Sequence, residues 1–489
     1  IFFVQTLFRF VKQNYKPKKI AMKNLKSLKT LPLLLLVTLL FWSCSNDDDG
    51  TIVIQEEFNI VELAQANPNL SSLVDAVIEA DLTATLSGPG PFTVLAPTDE
   101  AFAEFMSDNG WATVQDIPDA ALTQTLLNHV ISGTVTSSDL ASMGRGYTNT
   151  LADGPSNTNI SLLFDTNNGV MFNNTAEVTA ADVEASNGII HVVDKVITLP
   201  TIVDHAVNNT DFSNLVAALG AADGNLVDVL SGVGPFTVLA PDDTAFTTFL
   251  DGAALADVDT GVLSQILLNH VISGTITSTD LTGLGEGYSN TNASGPDMNN
   301  LSIYFNTSNG VMFNGISTVQ TADIVGTNGI IHAVDTVIDL PTIATFATSN
   351  PALSNLVAAL QYADTGMPTV PYIDTVSDAE AGPFTVFAPT DNAFGNLLTE
   401  LNVSALTDIP TATVDAVLTY HIVGANVQSS MLTSGTVTTL GGDITADATN
   451  FTLTDPNGRV SNIITSLVDI QAVNGVVHVI DDNVILPPQ

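Results

Sequence analysis

At 489 residues the chain exceeds what one hydrophobic core organises, so two to four domains of roughly 100 to 200 residues are expected. Eight of its eleven Lys and Arg lie in the first 29 residues; after Cys44 only Arg145, Lys195 and Arg459 face 51 acids, a formal charge of −48. A body this acidic repels phosphate backbones, which excludes nucleic acid as a partner class, and a single Cys excludes an intramolecular disulfide.

Residues 1–21 precede the first Met and contain no initiator, so they are read as an upstream extension and left out of fold reasoning. Residues 22–43 begin at Met22 with Lys23, Lys26 and Lys29 and continue as an apolar run from Leu31 to Trp42. That run is shorter than the roughly 20 residues a bilayer span needs, and it suits a signal peptide. The segment resembles a bacterial lipoprotein signal, with Ser43 as the small residue before Cys44 and Phe41 where that pattern usually carries Leu. The resemblance implies lipidation of Cys44 and attachment to a membrane through that lipid. The acidic linker 44–56, with "SNDDDG", resembles an export tag of Gram-negative surface lipoproteins and implies a surface-exposed, outer-membrane location. A stray thiol and a solvated or calcium-binding linker are the plainer alternatives; the calcium reading lacks the spaced oxygens and terminal Glu of an EF-hand loop.

The rest of the chain is a triplication. "GPFTVLAPTDEAF" at Gly90 returns as "GPFTVLAPDDTAF" at Gly234 and "GPFTVFAPTDNAF" at Gly382. "NGIIHVVD" at Asn187 returns as "NGIIHAVD" at Asn328 and "NGVVHVID" at Asn474. Between these blocks lies a further histidine, His129, His270 or His421, 62, 62 and 57 residues before the motif histidines His191, His332 and His478. Periods of this length mark duplicated domains rather than solenoid units, placed at 57–199, 200–340 and 341–488.

Within a repeat the elements read as α+β. Leu70, Leu73, Val74 and Val77 stand at i, i+3, i+4 and i+7, and the pattern recurs from Phe212 and from Leu353, predicting one amphipathic helix per copy. "PFTVLAP" predicts a strand ending at a helix entry, where Asp99, Asp243 and Asp391 sit as N-cap or first-turn acids. Asn-Gly pairs at Asn168, Asn309 and Asn457 interrupt extended runs as hairpin turns. Each copy closes on a strand that carries the motif histidine and ends in Leu-Pro.

The paired blocks "GPFTVLAPTDEAF" and "NGIIHVVDKVITLP", with a histidine near mid-repeat, resemble the signature of the fasciclin (FAS1) domain, three times over from about Glu57 to Pro488. The resemblance implies three tandem fasciclin-like domains, each a β-sheet wedge with flanking helices. It also implies an extracellular or cell-surface setting, and adhesion or ligand binding rather than catalysis. The partner would be a cell-surface or matrix ligand, protein or polysaccharide; a glycan- or small-ligand-binding module serving a surface complex is the other reading.

A catalytic histidine needs a nucleophile, acid or metal beside it. Ser132 and Ser273 recur after the mid-repeat histidine but have no counterpart in the third copy, so no Ser nucleophile common to the repeats is evident. Two histidines per repeat, plus His205 as an unmatched extra, fall short of a zinc set, and no metal or cofactor is expected. The six repeated histidines, His129, His191, His270, His332, His421 and His478, are therefore expected to be structural, each held by a hydrogen bond across the fold. The candidate interaction residues lie where the third repeat departs from the others. Tyr420 precedes His421 where the earlier copies have Asn128 and Asn269, and the resemblance associates this Tyr-His pair with receptor adhesion; a ring capping the core is the alternative. The third repeat also takes 24 residues from Leu360 to Phe384, against 17 from Leu219 to Phe236, and is expected to form a longer exposed loop bearing Tyr362 and Tyr372. As the repeat farthest from Cys44, it is expected to dominate recognition.

Overall fold

Asn59 opens the first helix, Ile60–Ala66, with a capping box: its side chain accepts the Glu62 N–H at 3.1 Å while the Glu62 carboxylate accepts the Asn59 N–H at 2.8 Å. Thr201 and Thr342 start the corresponding helices Ile202–Asn208 and Ile343–Ser349 in the same way. The computed structural model describes residues 57–368 and 370–489, so the leader, Cys44 and the acidic linker lie outside the described residues.

The amphipathic helix of each copy forms where its spacing places it, at Ser71–Glu79, Ser213–Ala221 and Ser354–Thr365. Its apolar stripe, Leu73 and Val77 in the first copy, is buried. The strands Phe92–Pro97, Phe236–Pro241 and Phe384–Pro389 then run into helices capped by Thr98, Asp242 and Thr390. Asp99, Asp243 and Asp391 occupy the first turn. Each reaches across to the amphipathic helix and accepts a backbone N–H, of Ser72, Asn214 or Asn355, at 2.7 Å. One acid so serves two helix starts, which fixes the angle between them.

At the centre of every copy lies a parallel strand pair. Phe92–Pro97 runs beside Gly188–Val193 with Leu95 opposite His191; Leu239 faces His332 and Phe387 faces His478 in the later copies. Parallel strands need a long crossover, and here nearly the whole repeat supplies it. In the first copy seven strands close into a barrel; the second keeps the same strand neighbours as an open path. The third has eight, because the bulged strand Ala176–Ala185, or Ser317–Gly326, is replaced by two shorter ones, Val460–Ile463 and Ile470–Ala472. Each repeat buries two apolar clusters. In the first, Leu73, Phe102, Leu126 and Ile190 lie between helices and sheet, and Leu95, Ile131, Phe164 and Phe172 fill the barrel.

The third repeat departs from the expected connection. The stretch read as a long exposed loop folds instead as three further helical residues, ending the amphipathic helix at Thr365, and a helix, Tyr372–Ser377, that stands where Thr83–Leu86 and Leu226–Leu230 stand in the earlier copies. The Asp364 carboxylate accepts the N–H groups of Tyr372 and Ile373 at 2.7 and 3.0 Å and so supplies the cap that Pro371 cannot.

Residues Glu57–Gln489 form one compact unit, and the joints within it repeat. The Tyr147 hydroxyl accepts the Asn209 amide at 3.1 Å, and the Tyr288 hydroxyl accepts that of Asn350 at 3.1 Å. Ser161 Oγ accepts the Val325 N–H at 3.0 Å, and Ser302 Oγ that of Gln471 at 2.9 Å. A dry cluster of Ala152, Ile160, Val325 and Ile330 seals the first joint, and Arg145 crosses it to Asn209, Thr210 and Asp211.

Candidate functional site

The closing strand opens on an Asn-Gly pair whose two residues do different work. Gly188 sits at φ +153°, and a Cβ there would collide with the Phe92 carbonyl across the parallel pair; Gly329 and Gly475 meet Phe236 and Phe384 in the same way. Asn187 is a three-way staple. Its amide donates to Leu86 and Gly88 carbonyls, both at 2.8 Å, and its oxygen accepts the Ile60 N–H at 2.9 Å. Asn328 and Asn474 repeat the arrangement, so the first helix, the connecting turn and the closing strand are tied at one side chain.

Three residues on, His191 points to the side of the strand that Leu95 occupies. Its Nε2–H donates to the Val135 carbonyl at 2.9 Å and its Nδ1 accepts the Asp182 N–H at 3.1 Å. His332 binds Ile276 and Asp323, and His478 binds Val427 and Asp469, through the same two nitrogens. The mid-repeat histidines use the opposite tautomer. In His129 the Nδ1–H donates to the Thr125 carbonyl at 2.7 Å and Nε2 accepts the Ile197 N–H at 2.9 Å; His270 and His421 are bound alike. Burial pushes His129, His270 and His421 down to about 4, and it also lowers His332 and His478. The unmatched His205 is buried at the first joint, bound to the Val325 carbonyl at 3.0 Å and edge-on to Tyr147.

One serine is common to all three copies after all. Ser137, Ser278 and Ser429 donate to Asp182, Asp323 and Asp469, the residues whose N–H groups meet the motif histidines. These aspartates stand at φ +57°, in a strand bulge in the first two copies and just before the strand Ile470–Ala472 in the third, and their carboxylates also hold the serine N–H groups. The resulting Ser-Asp-His set has the residue types of a hydrolytic triad in the wrong order. The serine bonds to the carboxylate, while both ring nitrogens are taken by backbone. It pins a bulge to a helix start.

The family comparison agrees with this repetition. The model of the fasciclin domain matches residues 68–200, 210–341 and 351–487. The chain belongs to the fasciclin family. An uncharacterised Synechocystis protein is 40% identical over 141 residues, 29% of this chain and 98% of that protein. Human periostin is 27% identical over 323 residues, 64% of this chain but 35% of periostin. A solved pair of FAS1 domains from the insect cell adhesion molecule fasciclin I is 19% identical over 54% of this chain and 94% of that one, with a TM-score of 0.34.

The tyrosines proposed as contacts are placed differently. Tyr420 is 8% exposed; its ring packs with Phe387, Ile444 and Leu453 in the sheet-side core of the third domain, and Gly441 and Gly442 leave the space it fills. His421 beside it is buried. A surface role for this pair is therefore corrected to a core one, because the two glycines let an aromatic ring enter where Asn128 and Asn269 bind the closing segment in the other domains. Tyr362 is half-buried with its hydroxyl on the Thr407 and Ile409 carbonyls. Tyr372 is 7% exposed and donates to Asp415 at 2.8 Å. Among the described residues no group of three His, Cys, Asp or Glu is placed to hold a metal, and no helix is long and apolar enough to cross a membrane.

Proposed function

We propose that the chain is a cell-surface adhesion protein, anchored by lipid at Cys44 and displaying three fasciclin domains that bind another cell or an extracellular polymer. The observation that supports this most is the threefold fasciclin domain held in series by the same joint twice over. Such an array repeats similar weak surfaces, which gain avidity on a crowded partner without new contacts. The histidines fit a non-enzymatic role, since their nitrogens are committed to backbone. The acidic body keeps the domains soluble and favours cationic or cation-bridged partners.

The test compares cells expressing the full chain, cells expressing Cys44→Ser, and cells lacking the chain, on surfaces coated with neighbouring cells or polysaccharide. The full chain is expected to fractionate with membranes and raise retention, and Cys44→Ser to lose both. Retention equal to that of cells lacking the chain would remove the adhesion reading; membrane recovery of Cys44→Ser would remove the anchor.

A further inference from the structure

Three features peculiar to the third domain meet in one cavity. Counting back from the mid-repeat histidine, Thr419 stands where Leu127 and Leu268 stand, and Asp415 where Thr123 and Ser264 stand. Leu127 and Leu268 pack against the cores of their own domains, so the shorter Thr419 leaves their volume open. The longer connection of this domain brings Pro368, Pro371 and Tyr372 to the facing wall. The space is about 390 Å³, within the range of small-ligand sites, and is walled by Phe384, Val386, Ile422 and Leu440.

Its polar groups are few and convergent. Asp415 Oδ1 accepts the Tyr372 hydroxyl at 2.8 Å, which orients the carboxylate in the cavity wall. Thr419 donates its proton to the Ala416 carbonyl at 2.8 Å, so its oxygen is left to accept. Both groups thus offer lone pairs, and neither offers a proton. The described basic side chains are committed elsewhere: Arg145 to Asp165 and Asp211, Lys195 to Glu104, Arg459 to Glu400 and Asp455. A carboxylate in apolar walls is stabilised by a cation, and acceptors alone select a donor.

We propose that this cavity binds a compact hydrophobic ammonium ion. Its N–H groups meet Asp415 and Thr419, and its apolar body lies against Phe384, Val386, Ile422 and Leu440. The proposal rests neither on the adhesion reading nor on the anchor.

Calorimetric titration of the full chain with 2-phenylethylammonium in 0.5 M NaCl, which screens diffuse attraction to the acidic surface, tests it. One saturable site is expected, with uncharged 2-phenylethanol at least about tenfold weaker. Asp415→Asn, which can still accept the Tyr372 hydroxyl, is expected to weaken the ammonium about tenfold or more while leaving the alcohol unchanged. Thr419→Leu, which restores the residue of the other domains, is expected to abolish both. Melting curves of both variants establish that the domain is folded. Non-saturable binding, equal affinity for ammonium and alcohol, or titrations unaltered in the folded variants would each overturn the proposal.

Discussion

The Tyr288 hydroxyl accepts the Asn350 amide at 3.1 Å, and this bond ties the second domain to the third as Tyr147 and Asn209 tie the first to the second. The Tyr288 ring also meets Phe346 edge-on at 5.7 Å, so one side chain supplies both the polar and the apolar part of the joint. Tyr288→Ala combined with Ser302→Ala removes the ring and the bond to Gln471. The joint should lose a few kcal/mol, the range for a truncated aromatic and two hydrogen bonds. Calorimetry is expected to resolve the third domain as a separate transition, and small-angle scattering to show a larger radius of gyration. An unaltered melting profile and radius would show that these contacts do not couple the domains.

Asn328→Ala removes bonds to Ile202, Leu230 and Gly232 together and leaves the Ile202 N–H without its partner. A cost of roughly 2 to 4 kcal/mol to the second domain is expected, since an orphaned donor adds its desolvation to the lost bonds. Denaturant titration reads it directly. A change below about 0.5 kcal/mol, the scale of an ordinary surface substitution, would return Asn328 to the role of a simple turn residue.

Acid should destabilise the fold before the carboxylates titrate. His129, His205, His270 and His421 stand at about 4 in the folded chain because burial disfavours the imidazolium, against 6.5 for the ordinary group. The unfolded chain therefore binds more protons between these values. The stability these groups contribute is complete above pH 6.5 and is lost as pH falls towards 4, by a few kcal/mol per histidine at most. Asp139 and Asp280, lowered by their hydrogen bonds to Thr136 and Thr277, act in a separate window below 3.8. A thermal midpoint that is flat from pH 6.5 to 4 would contradict the histidine account.

Salt should act in the opposite sense. Three bases cannot pair 51 acids, and screening shortens from about 30 Å at 0.01 M to about 3 Å at 1 M. The melting temperature of the chain without its leader is expected to rise across that range. A midpoint independent of salt would mean that the acids are spaced widely enough for repulsion to be negligible.

Much of this was legible in the sequence wherever the signal is local or repeated. The triplication, the amphipathic helices and the central strands follow from motif and period. What escaped depends on residues distant in the chain. Asn187 reads as a turn residue, but its partners at Ile60, Leu86 and Gly88 lie about a hundred or more positions earlier. Ser137 and Asp182 are 45 residues apart, so the serine shared by the domains is visible only once the bulge folds. For Tyr420 a surface contact and a core-capping ring both stayed open, because nothing beside it announces Gly441 and Gly442. The third connection looked like a loop because Pro368 and Pro371 break the pattern, yet Asp364 caps a helix directly after them.

The central claim is that the repeated histidines are fixed scaffolding, so that partners meet the surface of the array. Ring-nitrogen NMR of the histidines at pH 7 tests it most directly. The account predicts neutral rings with the proton on Nδ1 for His129, His270 and His421, and on Nε2 for His332 and His478, each slow to exchange with solvent. Rings that interconvert between tautomers, or that exchange their protons freely, would mean that the nitrogens are available for chemistry, and the scaffold account would fail.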